Sequence, residues 1–291
     1  MKMRVLRPCL AWLIMCELGS SFGQELLFRS DVRLVQVYAT IFDRKGHYLD
    51  GLSRDHVEIF DDGLMQPVVA FEPNSTGISC AIVLDVTGSM RDALPAVKNA
   101  VSEMLDQLRD VDFVAVYGFN TQLMLLQDFT SDKERARRAV LRTRAGGGTA
   151  LFDALAGVIR DISPRNGKKA IVVFTDGADN ASSLNISATL LRAQRSGIPV
   201  YSIAEGDALR TPLLMKELRT IAETTGGTFH EVKHYHDADA VFMEITRDLQ
   251  HGYLISYKPP PDNSGKWHSI RLDIVGTKDF RVRAKGGYYP E

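Results

Sequence analysis

The stretch AIVLDVTGSM, Ala81 to Met90, decides the reading of this chain. Four apolar residues, Ala81 to Leu84, have the character of a buried strand, and the run stops abruptly at Asp85. Thr87 and Ser89 follow at alternate positions, so three oxygen-bearing side chains stand at the tip of a strand whose body avoids water. Alternation within a turn can aim successive polar groups at one point, and Gly88 keeps the loop slim enough for a close approach.

Around this stretch, from Ile78 to about Gln250, short apolar strands alternate with helical patterns. Leu94, Val97, Val101, Leu105 and Leu108 fall at helical spacing, with Pro95 in the first turn. FVAVYGF (Phe113 to Phe119) reads as a strand and LMLLQDF as a short edge strand. Ser131 and Glu134 read as a capping box opening a helix, and Thr211-Pro212 as the cap and start of another. KKAIVVFTD and PVYSIA are further buried strands, and Gly197 stops the helix between them. This alternation predicts a doubly wound, mostly parallel, Rossmann-like sheet covered by helices on both faces. Residues on either side have a different texture. VRLVQVYATIF, and VEIF and MQPVVAF around Asp61-Asp62-Gly63, read as strands with a hairpin; so do YLISYKP, HSIRLDIV and DFRVRAKGGYY near the other end. The expected organisation is a leader over 1–23, an N-terminal β segment over 24–76, the α/β domain over 77–250 and a C-terminal β segment over 251–291. The two β segments are expected to pair as a small β-sandwich, although two independent β elements satisfy the pattern as well.

In a doubly wound sheet the loops after the strands' carboxyl ends gather along one edge. Three such loops carry oxygens: Asp85-Val86-Thr87-Gly88-Ser89, the turn AGGGTALFDAL with Thr149, and FTDGADN with Asp176. Hydroxyls and carboxylates suit a hard cation, Mg²⁺, Mn²⁺ or Ca²⁺. D-x-T-x-S, the distant Thr in GGGT and the distant Asp in TDG together resemble the metal-ion-dependent adhesion site of von Willebrand factor type A domains, over about Ile78 to Gln250. The commoner first loop of that family is D-x-S-x-S, and Thr87 supplies the same hydroxyl. The whole chain, β segments included, resembles secreted bacterial proteins that carry such a domain.

The resemblance implies a six-stranded sheet. It implies Thr87 and Ser89 as direct ligands, Asp85 and Asp176 as ligands directly or through water, and Thr149 as one that joins when a partner is engaged. The implied ion is Mg²⁺ or Mn²⁺ ahead of Ca²⁺. The implied partner is a protein that offers a carboxylate, since neutral hydroxyls leave the cation only partly neutralised. On this reading the chain is a non-enzymatic adhesion module. The alternatives are a scaffold whose loops the cation stiffens, and a haloacid-dehalogenase-type phosphohydrolase built on Asp85, Thr149, Asp176 and Asp179. That enzyme usually needs a second acid two residues after its nucleophile, where this chain has Thr87. Gly146-Gly147-Gly148-Thr149 has no following Lys for a phosphate loop, and no Gly-x-Gly-x-x-Gly follows the first strand.

The remaining features set the context. The chain has 291 residues, 45% of them hydrophobic and 24% charged, with a net charge of −1, so its overall charge points to neither nucleic acid nor an anionic membrane. Lys2, Arg4 and Arg7, the largely apolar Cys9 to Leu18 and the small residues to Gly23 have the order of a secretory signal peptide, and the apolar part is short for a bilayer span. Export to the periplasm, cell surface or exterior is therefore expected, with no transmembrane segment after the leader. Cleavage would leave 32 basic against 35 acidic residues, net −3, and Cys80 as the one cysteine, which reads as a small core residue. His230, His234 and His236 read as a surface strand end, and Lys133 to Arg144 as a solvated basic face. Neither the oligomeric state nor the partner's identity is written in these patterns.

Overall fold

The structure, a computed structural model, describes residues 34–261, 264–276 and 278–290; the expected leader lies outside them. Four strands come first: β1 (Val35–Asp43), β2 (Val57–Asp61), β3 (Leu64–Gln66) and β4 (Val68–Glu72). The alternating stretch follows as β5 (Ile78–Asp85), α1 (Leu94–Gln107), β6 (Phe113–Phe119), β7 (Leu123–Thr130), α2 (Lys133–Arg142), α3 (Leu151–Ile162), β8 (Lys168–Thr175), α4 (Ile186–Ser196), β9 (Val200–Glu205), α5 (Pro212–Thr225), β10 (Phe229–Val232) and α6 (Ala238–His251). Four strands close the chain: β11 (Tyr253–Tyr257), β12 (His268–Ile274), β13 (Phe280–Ala284) and β14 (Gly287–Tyr288).

The central sheet has six strands in the order β10-β9-β8-β5-β6-β7. Its pairs are parallel except that β7 runs antiparallel to β6 at one edge. All eight residues of β5 are buried. The period of two divides them between two cores: Cys80, Ile82 and Leu84 pack with residues of α1, α2 and α6, while Ala81 and Val83 pack with residues of α3, α4 and α5. A strand covered on both faces cannot alternate apolar with polar, which is why Cys80 to Leu84 reads as one continuous apolar run. The first strand of the stretch thus sits in the middle of the sheet. The chain winds outward from it to β6 and β7, then crosses over to β8, β9 and β10. Asp85 ends the strand at which this winding reverses, and such switch points open crevices at the carboxyl edge.

The flanking strands make two four-stranded antiparallel sheets, β13-β1-β11-β4 and β14-β12-β2-β3. Val37, Ile41, Tyr253 and Ile255 of the first share a core with Ile59, Leu272 and Ile274 of the second. MQPVVAF, which reads as one strand, is divided at Pro67. Leu64–Gln66 pairs with β2, and Val68–Glu72 crosses to pair with β11 in the other sheet. Proline has no N–H for the ladder, and it marks the corner where the chain changes sheets.

The α/β portion leaves from β4 and returns to β11, and Glu72 lies opposite Leu254 in that pair. Outgoing and returning chains are therefore neighbours, and two cations bind the connecting backbone. Lys168 Nζ donates to the carbonyls of Pro73, Asn74 and Gly252 at 3.1–3.2 Å. Arg109 donates to the carbonyls of Asn74 and Thr76 while its guanidinium pairs with the buried Asp112. Burial draws the Lys168 ammonium down to about 8 from the usual lysine range. Two expected helix starts differ. α2 is capped by Asp132, whose carboxylate accepts from Arg135 N at 3.0 Å, in place of Ser131 one residue earlier. Thr211 does not cap α5, because its hydroxyl donates back to Asp207 O.

Gly252 joins α6 to β11 where Tyr38 Oη reaches the α6 carbonyls of Asp248 and Leu249. A β-carbon at residue 252 would fall 1.9 Å from that oxygen, on a ring that is itself buried. Gly252→Ala should destabilise the protein by about 1–3 kcal/mol, read as a lowered midpoint in urea with unchanged slope.

Candidate metal centre

β5, β6 and β8 end together, and the loops that follow are pinned to one another by backbone hydrogen bonds. Val86 N donates to Phe119 O, Gly146 N to Val86 O at 2.8 Å, and Gly88 N to Gly147 O at 3.1 Å. These bonds bring the Asp85 loop against the triple-glycine turn. A third loop joins through Thr149, whose carbonyl accepts from the N–H groups of Asn180 and Ala181. Thr149 N in turn donates to Asn180 Oδ1 at 2.9 Å.

Asp85 is fully buried. Its Oδ2 accepts from Thr175 Oγ1 at 2.7 Å and its Oδ1 from Thr87 N at 2.9 Å. The side chains of Thr87, Ser89 and Asp176 form a relay. Ser89 Oγ donates to Asp176 Oδ1 at 2.9 Å and lies 2.9 Å from Thr87 Oγ1, whose proton then points to Ser89. Thr149 Oγ1 and Ser89 Oγ both border the space over Gly177, 3.5 and 3.9 Å from where a β-carbon would stand. The structure thus brings Asp85, Thr87, Ser89, Thr149 and Asp176 to one corner of the sheet edge. Four of the five are less than a tenth exposed, Asp85, Thr87, Thr149 and Asp176.

The electrostatics of that corner are one-sided. Burial foremost, opposed by the hydrogen bonds from Thr175 and Thr87, pushes the Asp85 carboxyl above its usual range. Burial, then the charge of Asp85 and that of Glu205, raises Asp176 to about 6. Glu205 ends β9 and is itself raised by burial and by Asp207. Buried carboxylates gathered without an opposing positive charge are costly, and a divalent cation supplies that charge. The donor set of carboxylates and hydroxyls, with no sulfur or nitrogen, fits a hard cation.

Four residues at this corner were not singled out from the sequence. Thr175 orders Asp85, Asn120 donates to Gly146 O at 2.9 Å, Asn180 holds Thr149, and Glu205 adds negative charge. Each stands at or just past the end of an apolar strand or within a quoted loop, a position signal too general to rank them. Asp179 belongs to the fold of the third loop: it accepts from Phe152 N, Ser182 N and Ser182 Oγ. The three histidines do not meet as a group. His230 is bonded to Thr228 Oγ1 at 2.7 Å, while His234 and His236 stack on each other. Of the basic stretch, Lys133 donates to Asp112 O, and Arg135 and Arg137 pair with Asp132, Asp106 and Glu134.

Residues 80–244 match the family model described as the von Willebrand factor type A domain. No curated protein matches the chain. Among solved structures, it is similar to "von Willebrand factor type A from Catenulispora acidiphila", with a TM-score of 0.54 and 17% identity over 89% of this chain and 74% of the other. That share is larger than the α/β portion, so the likeness extends into the flanking sheets. The chain is also similar to proximal thread matrix protein 1 from the mussel byssus, with a TM-score of 0.54 and 17% identity over 65% of this chain and 51% of the other. A third similar structure is the vWF domain of the type V pili tip protein Mfa5 from Porphyromonas gingivalis, with a TM-score of 0.50 and 13% identity over 59% and 94%. At these identities the likeness is one of fold.

The raised Asp176 gives a signed pH test. Its folded pKa of about 6 lies above that of an unfolded carboxylate, about 3.9. The folded state therefore bears a penalty that is complete above about pH 6 and disappears as both states protonate below about pH 4. In chelator at neutral pH, Asp176→Asn should be more stable than the parent by about 1–2 kcal/mol, allowing for solvent screening at the mouth of the site. The difference should shrink to nothing in denaturant titrations repeated towards pH 4.

Proposed function

The chain belongs to the von Willebrand factor type A domain family, and from that premise we propose that it is an exported, non-enzymatic binding protein that uses a divalent cation to capture an acidic group on a partner. The observation that carries this reading is the relay Thr87–Ser89–Asp176 beside the buried Asp85, with Thr149 across Gly177. Thr87, Ser89, Asp85, Asp176 and Thr149 would hold the ion, Mg²⁺ or Mn²⁺. The ion would supply an electrostatic anchor for a carboxylate. The protein's part is to present hydroxyls that are neutral and carboxylates that are already desolvated, so the cation keeps part of its charge for the incoming ligand.

Several features support a binding role over phosphoryl chemistry. The residue two past Asp85 is Thr87, whose hydroxyl lies in the relay, so the general acid of a haloacid-dehalogenase-type reaction is missing. Two of the similar structures are described as a domain of a pili tip protein and as a thread matrix protein of the mussel byssus, names of assembly components and not of enzymes. Export rests on the sequence of residues 1–23, with its basic start, short apolar middle and small residues before the β segment. Among the described residues no helix is long and apolar enough to cross a membrane. In this proposal the boundaries read from the sequence, 24–76, 77–250 and 251–291, separate a flanking β part from the binding part.

Calorimetric titration of the full chain with Mg²⁺ and Mn²⁺ tests the centre. One saturable site is expected, and Asp85→Asn, with unchanged far-UV circular dichroism, should weaken it at least about tenfold, or 1.4 kcal/mol. Heat-silent, non-saturating titrations of the folded parent would rule out the metal-bridge mechanism.

A further inference from the structure

A second group of ligand-type side chains lies in the β part. It comprises Asp61 at the end of β2, Asp62 in the turn to β3 and His268 at the start of β12. Their ligand atoms all lie within 4.8 Å of one another. His268 Nδ1 is 3.0 Å from Asp61 Oδ1 and 3.1 Å from Asp62 Oδ2. The other oxygen of each carboxylate is held from behind. Asp61 Oδ2 accepts from the hydroxyls of Tyr257 and Tyr288, both at 2.8 Å. Asp62 Oδ1 accepts from Ser269 N at 2.8 Å and Ser269 Oγ at 3.0 Å. Two carboxylates are thus oriented by four donors so that one oxygen of each converges on the same imidazole nitrogen.

That nitrogen carries at most one proton, and one N–H cannot serve two carboxylate oxygens equally well. A metal ion can, with the imidazole lone pair as third donor. Ligands about 2.1 Å from one ion stand about 3.0–3.4 Å apart, a range that takes in both Nδ1–carboxylate separations. The groups behind the carboxylates are of the kind that orient metal ligands. Access is graded as well. Asp61 is buried, while the Asp62 side chain is 51% exposed, so the group can be reached from solvent. One imidazole with two carboxylates suits zinc and its neighbours more than magnesium, in contrast to the all-oxygen set at the sheet edge.

We propose that Asp61, Asp62 and His268 form a second metal site, of zinc class, that clips β12 to the β2–β3 turn. The site joins chain segments more than 200 residues apart, so an ion bound there holds the N-terminal and C-terminal strands of this sheet together.

The test titrates the full chain with Zn²⁺ by calorimetry in excess Mg²⁺, beside Asp85→Asn, Asp62→Asn and His268→Gln, each checked for folding by circular dichroism. The parent and Asp85→Asn should bind one Zn²⁺ with equal affinity. Asp62→Asn and His268→Gln should each bind at least about tenfold more weakly. Co²⁺ in place of Zn²⁺ should give a visible ligand-field spectrum in the parent that His268→Gln loses, a readout that a purely hydrogen-bonding role would not move. If His268→Gln fails to fold, Asp62→Asn decides, because asparagine keeps the oxygen held by Ser269. Absence of Zn²⁺ binding by the folded parent would overturn the proposal. So would undiminished binding by a folded His268→Gln or Asp62→Asn, which would put the ion elsewhere, at His234 and His236 for instance.

Discussion

The hydrogen bond from Thr175 to Asp85, 2.7 Å long and fully buried, ties the ends of the two middle strands of the sheet. Its importance follows from where it lies. β5 and β8 are the adjacent strands at which the winding reverses, so no backbone crossover fills the space beyond their ends. A carboxylate there has lost its water, and only hydrogen bonds, a proton or a cation can compensate. Thr175 and Thr87 N fix both oxygens of Asp85. With Asp85 fixed, the loop turns so that Thr87 and Ser89 come level with Asp176, and the glycine-rich turn closes against Gly88.

The same logic of desolvated charge appears at the opposite end of the α/β portion, with the sign reversed. Lys168 and Arg109 are cations held by backbone carbonyls of the two connecting segments. Carbonyl dipoles there replace the water that the connecting chain has lost. Because β4 and β11 are hydrogen-bonded neighbours, the excursion of the α/β portion starts and ends at one place, and the flanking sheets close around their own core. The acidic corner thus lies at the carboxyl edge of the central sheet, while the cationic clasp lies where Lys168 and Ile78 begin β8 and β5.

Much of this was legible in the chain as written. Apolar runs bounded by Asp85 and Asp176 announce buried parallel strands, and the spacing from Leu94 to Leu105 announces the helix that covers them. Local competitions were less legible. Asp132 takes the cap expected of Ser131 because the helix begins at Lys133, which puts Asp132 at the cap position facing the Arg135 amide. Pro67 divides a run that reads as one strand, since pairing with two different sheets is a tertiary event. Asn120 and Asn180 hold the loops at the sheet edge through single side-chain bonds to backbone, and in sequence they look like any polar residue after a strand.

By itself the sequence determined the class of fold, its family resemblance and the five oxygen-bearing residues at the sheet edge. Those properties depend on period and on local chemistry, and period and chemistry are written residue by residue. Tertiary structure alone decided which groups meet. Glu205 acts on Asp176 because β9 lies beside β8. Asp61 and Asp62 face His268 because β12 pairs with β2 across more than 200 residues of chain. Pairings of that span are set by how whole layers pack, with energies summed over many buried side chains, so no short window of sequence contains them.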